Sequence, residues 1–378
     1  MNIRFADASD TDTLGRFNDR LKAGGSKHHL ILDPRLPGEE RYRPDGFPVF
    51  RRWMIAEEGR EIRAAIQLYH NNAYFRGREY QFCWSDMPIS EGIVNREYSL
   101  AILQLMKGAL SYQPFLMTLG VGNLDVEAYQ FLAKLGWKHE PIPFFFYPVK
   151  ATRVLLDLAY LKRRPVLRSG ALIGAYSGSG IILSGLLAIY RRLRAALSAY
   201  DVSVEPAFGD WADRVFQNSI HDYAACIRSD ATTLNIVYSP DNAGYARVRV
   251  RRKKDKGDAG WILVAQRQMR DHRYFGDVKV GTLADGFGRP EDVPALISAG
   301  ISYLAKAGVD LVVANFSHRA WVRACRRSGM FQGPSSYHLF VSPGNPPLQD
   351  DCRLPDVHVG RGHSDGLSDL VDDFVLRS

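Results

Sequence analysis

The sequence predicts an α/β protein made of two copies of one mixed-sheet domain, joined by a basic, partly apolar helical linker. Three observations carry that expectation. Residues 277–341 parse as strand, glycine-bearing turn, helix, strand, helix, strand. An earlier stretch repeats the order and its ending: Gly136-Trp137-Lys138-His139-Glu140-Pro141 is echoed by Gly329-Met330-Phe331-Gln332-Gly333-Pro334, each followed by an aromatic strand. Between the copies, residues 150–200 hold nine basic residues and one acid, Asp157, which accounts for the whole net charge of +8. The expected boundaries are 1–150, a linker at 151–200, a second copy at 201–343 and a tail at 344–378.

Taken in order, residues 3–6 open as a strand. Residues 7–21 follow as a helix with Leu14, Phe17 and Leu21 at helical spacing, ended by Gly24-Gly25. Residues 27–46 read as a polar loop. A hairpin turns at Glu58-Gly59-Arg60, and residues 78–86 form the next strand. After Asp86 comes a loop with Gly92, Asn95 and Arg96. A helix carrying Leu100, Leu103, Leu105 and Met106 precedes a strand at 115–121. Asn123 and Asp125 are capping candidates for a helix that stops at Gly136.

The second copy opens with a strand at 202–205 and a helix at 210–221, then a hairpin about the charged tip 251–260. The apolar run 278–284 leads into Asp285-Gly286-Phe287-Gly288-Arg289, read as a turn, and a helix with Leu296, Ile297, Ile301 and Leu304 ends at Gly308. A strand at 309–314, a helix capped by Ser317 and closed by Arg326, Arg327 and Gly329, and a last strand at 337–341 complete it.

This order of elements resembles the C-terminal half of GNAT acyltransferases, which take acyl groups from coenzyme A. The chain lacks their intact Q/R-x-x-G-x-G/A signature. Arg228-Ser229-Asp230, Leu234 and Tyr238, with the tail Gly360-Arg361-Gly362-His363-Ser364-Asp365-Gly366, are similar to short runs in tandem, FemAB-related members encoded with bacterial surface-polysaccharide genes. The resemblance implies acyl-CoA as co-substrate and an amino sugar or lipid-linked sugar as acceptor. It implies two pyrophosphate cradles: Gly92, Asn95 and Arg96 in the first copy, and Gly286, Phe287, Gly288 and Arg289 in the second. The second is the better fit, with two glycines for close approach and an arginine for the phosphate. Asp86 and Asp285, at the ends of the central strands, are the candidate bases. The position of the family's tyrosine acid, four residues before the terminal glycine, is Leu132 in one copy and Cys325 in the other. The alternative is a degenerate pair without catalysis, acting as a nucleotide- or partner-binding regulator at a membrane.

At 378 residues, with 46% hydrophobic and 24% charged, the composition is that of an ordinary two-domain soluble protein. Cys83, Cys226, Cys325 and Cys352 are scattered, as in a reducing compartment, and neither they nor His28-His29 show metal-ligand spacing. The start, Met1-Asn2-Ile3-Arg4, lacks the basic and apolar regions of a signal peptide, so a cytoplasmic location is expected. A charge confined to residues 150–200 points away from nucleic acid. Residues 169–190 are uncharged and flanked by Arg168 and Arg191-Arg192, which suits a helical bridge between the domains or a helix lying on an anionic membrane.

Overall fold

A computed structural model of the chain describes residues 1–30, 49–120, 127–163, 165–196, 198–272, 274–344 and 356–365. Asn123, Asp125, Arg164, Cys352, Gly366 and most of the expected 27–46 loop lie outside these residues. The chain forms two compact units.

Unit 1 contains Asn2–Phe5 (β1), Thr11–Ala23 (α1), Phe50–Glu58 (β2), Glu61–Phe75 (β3), Arg78–Ser90 (β4), Ala101–Tyr112 (α2), Leu116–Leu119 (β5), Glu127–Lys134 (α3) and Lys138–Pro141 (β6). Strand alternation sets its two cores. Trp53, Ile55, Ile62 and Ala65 pack with Leu14, Phe17 and Leu21 of α1. Met54, Ala56, Ala64 and Ile66 face Leu105, Met106, Ala109 and Leu132 on the other side. Successive residues of one strand thus serve opposite faces, which pins the register.

Unit 2 begins with Phe144–Pro148 (β7), Ala151–Asp157 (α4), Ala159–Lys162 (α5), Pro165–Tyr176 (α6) and Ser179–Ala196 (α7). Its repeat follows as Tyr200–Glu205 (β8), Asp210–Ser219 (α8), Ala225–Ile227 (β9), Ala231–Val237 (α9), Tyr245–Arg252 (β10), Asp258–Gln268 (β11), Lys279–Gly288 (β12), Val293–Lys306 (α10), Leu311–Asn315 (β13), Arg319–Arg327 (α11) and Phe331–Gly333 (β14). The remaining elements are His338–Val341 (β15), Val357–His358 (β16) and Gly362–Asp365 (α12).

The repeat is real at the level of strand order. One sheet runs β1-β2-β3-β4-β5-β15-β6, and the other β8-β10-β11-β12-β13-β7-β14. Each is the same pattern, with one change that the sequence boundaries miss. The aromatic strand after each Gly…Pro ending is exchanged: β7 pairs with β13 in unit 2, and β15 pairs with β5 in unit 1. Unit 1 is therefore Met1–Glu140 with 338–344, and unit 2 is Pro141–Tyr337 with 356–365. An aromatic strand fits either sheet by pattern alone, so periodicity carries no information about which sheet it joins.

Two local expectations are corrected. Asp285 to Gly288 is not a turn: β12 runs through Gly288, with Ile262↔Gly286, Trp261↔Phe287 and Gly260↔Gly288 in register. Ser317 does not cap α11. His318 does, its Nδ1 accepting the Ala320 N–H at 3.3 Å, while Ser317 Oγ donates to the carbonyl of Val357 at 2.5 Å.

Candidate functional site

In unit 1 the central strands separate. β4 and β5 are parallel and in register only at Cys83↔Leu116 and Trp84↔Met117. The hydroxyls of Ser85 and Thr118 then meet at 2.5 Å. Beyond them β4 stays with β3, at Gln67↔Asp86 and Ala65↔Ile89 across a register shift, whereas Thr118 and Leu119 pair with β15. Asp86, half-buried, stands where the strands part.

The loop that follows folds tightly on itself. Ser90 Oγ accepts the Gly92 N–H at 3.0 Å, and a Cβ at Gly92 would lie 2.8 Å from Ser99 Cα, so only glycine fits there. Glu91 is buried between Arg20 (3.1 Å) and Arg63 (2.9 Å), which neutralises it. The Asn95 side chain accepts the Glu97 N–H at 3.1 Å. Arg96 is exposed beside them, and α2 starts at Ala101 behind Leu100, whose side chain provides no cap. A helix N-terminus without a side-chain cap leaves amide donors facing outward.

On the β5 side lies a cluster that the sequence reading missed. Tyr129 of α3 is buried, and its hydroxyl meets the ring nitrogens of the exposed His139, with Nδ1 at 3.0 Å. Its ring packs edge-on against His338 (5.5 Å) and Phe340 (5.0 Å) of the exchanged strand. His338 is 6% exposed, its Nδ1 has no hydrogen-bond partner, and its carbonyl accepts the Gly120 N–H at the end of β5. Burial, followed by the neighbouring His139, lowers its pKa, so the ring is neutral at pH 7. Leu132, the position indicated by family spacing, is buried in the core. Tyr129 lies three residues earlier on the same helical face, and that spacing was the available signal. His338 had none, because it arrives with an exchanged strand.

In unit 2 the corresponding strands hold together longer, from Val280↔Leu311 to Leu283↔Ala314, before they part. There the tail enters. Gly360 bridges Phe316, the Ser317 N–H donates to the Val359 carbonyl at 3.1 Å, and β16 pairs with β9. Gly360 and Gly362 press on the Ala284 carbonyl, where added Cβ atoms would approach to 3.1 and 3.0 Å. Two sequence motifs converge at this point. Asp285 Oδ2 accepts from Tyr238 at 2.9 Å, Oδ1 accepts the Gly286 N–H at 2.8 Å, and His363 Nδ1 lies 3.7 Å away. Asp285 is 2% exposed, and burial raises its pKa against the opposing pull of His363, Tyr238 and Gly286. Arg228 and Asp230 pair with each other at 2.5 Å, and Asp230 caps α9.

The expected second cradle is occupied by the protein itself. Gly286 makes room for Trp321, whose Cη2 would be 2.5 Å from an added Cβ, and Gly288 for the Ala259 carbonyl, also at 2.5 Å. Phe287 is fully buried. Arg289 is half-exposed between Asp222 (3.7 Å) and Glu291 (3.4 Å). The buried N-cap of α10 is an acid, Asp292, held by Arg252 at 2.7 Å and Tyr200 at 2.8 Å. A phosphate there would meet that acid. Cys325 is fully buried and burial pushes its thiol up, away from proton donation at neutral pH. His358 sits between, stacked on Trp321 at 4.8 Å and donating from Nε2 to the Gly286 carbonyl at 2.7 Å. Among the described residues no cluster of His, Cys, Asp and Glu is arranged to hold a metal.

No protein-family model and no curated protein sequence matches the chain. Solved structures do. A conserved protein of Enterococcus faecalis V583, described as a probable N-acyltransferase, matches at a TM-score of 0.51 and 8% identity, over 90% of this chain and 72% of its own. The Saccharomyces cerevisiae N-myristoyltransferase with bound myristoyl-CoA matches at 0.51 and 10%, over 93% and 82%. A tandem GNAT protein from the clavulanic acid biosynthesis pathway aligns at 0.47 and 12%, over 91% and 99%. The chain shares a mixed α/β fold with the Enterococcus protein and the myristoyltransferase, and at these identities the likeness concerns fold alone.

Proposed function

We propose that the chain is a GNAT-type N-acyltransferase that takes its acyl group from an acyl-CoA bound in unit 1. The observation that carries this reading is the filling of the split in unit 2 by residues 357–363, set against a split in unit 1 that opens beyond Trp84 and Met117, with Asp86 where the strands part. The preference for the second copy that follows from its glycines is thereby reversed. Arg96, the loop about Gly92 and Asn95, and the α2 N-terminus receive the pyrophosphate.

In the reaction, an amine attacks the thioester carbonyl, the C–S bond breaks, the ammonium loses a proton and the thiolate gains one. Tyr129 donates to the thiolate and is resupplied through the exposed ring of His139. Asp86 on the β4 side and the neutral His338 on the β5 side are the two bases available to the amine. The acceptor class, an amino sugar or lipid-linked sugar, rests on the resemblance of the Arg228–Tyr238 and tail motifs.

Calorimetry with acetyl-CoA and an assay of released thiol test this. Arg96→Glu should weaken binding about 10- to 150-fold, the equivalent of about 1.5–3 kcal/mol for a charged hydrogen bond, while Arg289→Glu leaves it unchanged. Tyr129→Phe should keep affinity and lower kcat about 10²- to 10⁴-fold. Asp86→Asn and His338→Asn identify the base by which of them removes the pH dependence. The reverse pattern, with Arg289→Glu weakening and Arg96→Glu neutral, would return the donor to unit 2. No binding at all would support the regulatory pair.

A further inference from the structure

The linker is a bent pair of helices whose polarity is inverted for a bridge surrounded by water. α6 and α7 meet at Ser177–Gly178 with a 73° bend, and no single described helix is long and apolar enough to cross a bilayer. The faces turned toward unit 2 are made mostly of small residues, with Leu183 and Leu187 half-buried among them. Ala171 and Ala175 are buried, Gly174 sits against Leu155, and Gly180 sits against the Thr152 backbone, where a Cβ would approach to 3.0 Å. Ser184 Oγ accepts the Ala151 N–H at 2.8 Å. Most of the large side chains point the other way. Ile173, Tyr176, Ile181, Ile182, Leu186 and Ile189 are 56–80% exposed. An amphipathic helix normally buries its large residues and presents its small and polar ones.

We propose that this face is a membrane-surface element that docks on anionic lipid. The choice of lipid rests on charge. Lys162, Arg163 and Arg168 precede the apolar face and Arg191 and Arg192 follow it, with Asp157 the one acid in the segment. Apolar residues at the centre and cations at both ends match acyl boundary and headgroups respectively. A second copy of the chain would bring the same cations face to face. The inference goes beyond acyl transfer and stands without it.

The test is sedimentation with vesicles of phosphatidylcholine alone and of phosphatidylcholine with 30% phosphatidylglycerol at about 0.15 M salt, where charge screening is already substantial. The full chain should pellet with the anionic vesicles and partition at least tenfold less to the neutral ones. Ile173→Ser/Ile182→Ser/Leu186→Ser should reduce pelleting at least tenfold with unchanged thermal unfolding, since these side chains lie outside the core. Arg168→Glu/Arg192→Glu should do the same and remove the salt dependence. Wild-type protein that stays in the supernatant overturns the proposal. So does a wild-type dimer that the triple serine variant converts to monomer, which would make the face a self-interface.

Discussion

Replacing Gly286 with alanine separates the packing role of the β12 glycines from a cradle role. The new Cβ would lie 2.5 Å from Trp321 Cη2 and 2.9 Å from the Trp261 carbonyl. Neither neighbour can yield. Trp261 O belongs to the β11–β12 ladder, where Trp261 pairs with Phe287. Trp321 is fully buried between Phe316 (4.6 Å) and His358 (4.8 Å), and its Nε1 donates to Tyr223 at 3.1 Å. Overpacking a rigid core costs about 1–3 kcal/mol, and two unyielding contacts place this substitution near the upper end. For a unit of this size that is a fall in Tm of about 6–12 °C, at about 2–4 °C per kcal/mol. Differential scanning calorimetry measures it, with acetyl-CoA titration in parallel at a temperature where the variant is folded. Unchanged stability with lost acetyl-CoA affinity would refute the packing argument and restore Gly286 to a ligand site.

Ending the chain at residue 355 should destabilise unit 2 by about 3–6 kcal/mol, because it uncovers Phe316 and Trp321 and forfeits the burial of Val357 and Val359 at about 1.5–3 kcal/mol each; loss of near-ultraviolet circular dichroism reports it. The His318 pKa is lowered to about 4, by burial first and then by Arg319 and Arg323. Its contribution is therefore complete above pH 6.5 and lost as pH falls toward 4, since the unfolded chain binds the proton first. The burial-raised pKa of Asp285 works in the opposite sense, its contribution falling as pH rises from its ordinary range through the raised value. Urea unfolding between pH 4 and 7 should accordingly show a shallower rise with pH in His318→Gln than in wild type. Equal slopes would remove His318 as the cause.

The sequence by itself determined the architecture of each copy. Helical spacing of Leu14, Phe17 and Leu21, the hairpin about Glu58-Gly59-Arg60, and the paired Gly136 and Gly329 endings are local patterns, and each appears in the structure as read. The basic, uncharged-centred linker was equally legible. Only tertiary structure decided what these elements are used for. Glycines after an apolar strand fit a phosphate turn or a close strand-to-tryptophan contact, and the presence of Trp321 above Gly286 selected the second. Strand exchange carried His338 to Tyr129, and the tail carried His358 to the Gly286 carbonyl and His363 to Asp285; neither placement leaves a trace in periodicity, which records only which face of an element is apolar. The outward aim of Ile173 and Leu186 was hidden for the same reason. An uncharged helix has no polar side to mark its direction, so the small residues that fit against α4 and the large ones that do not were distinguished only by packing.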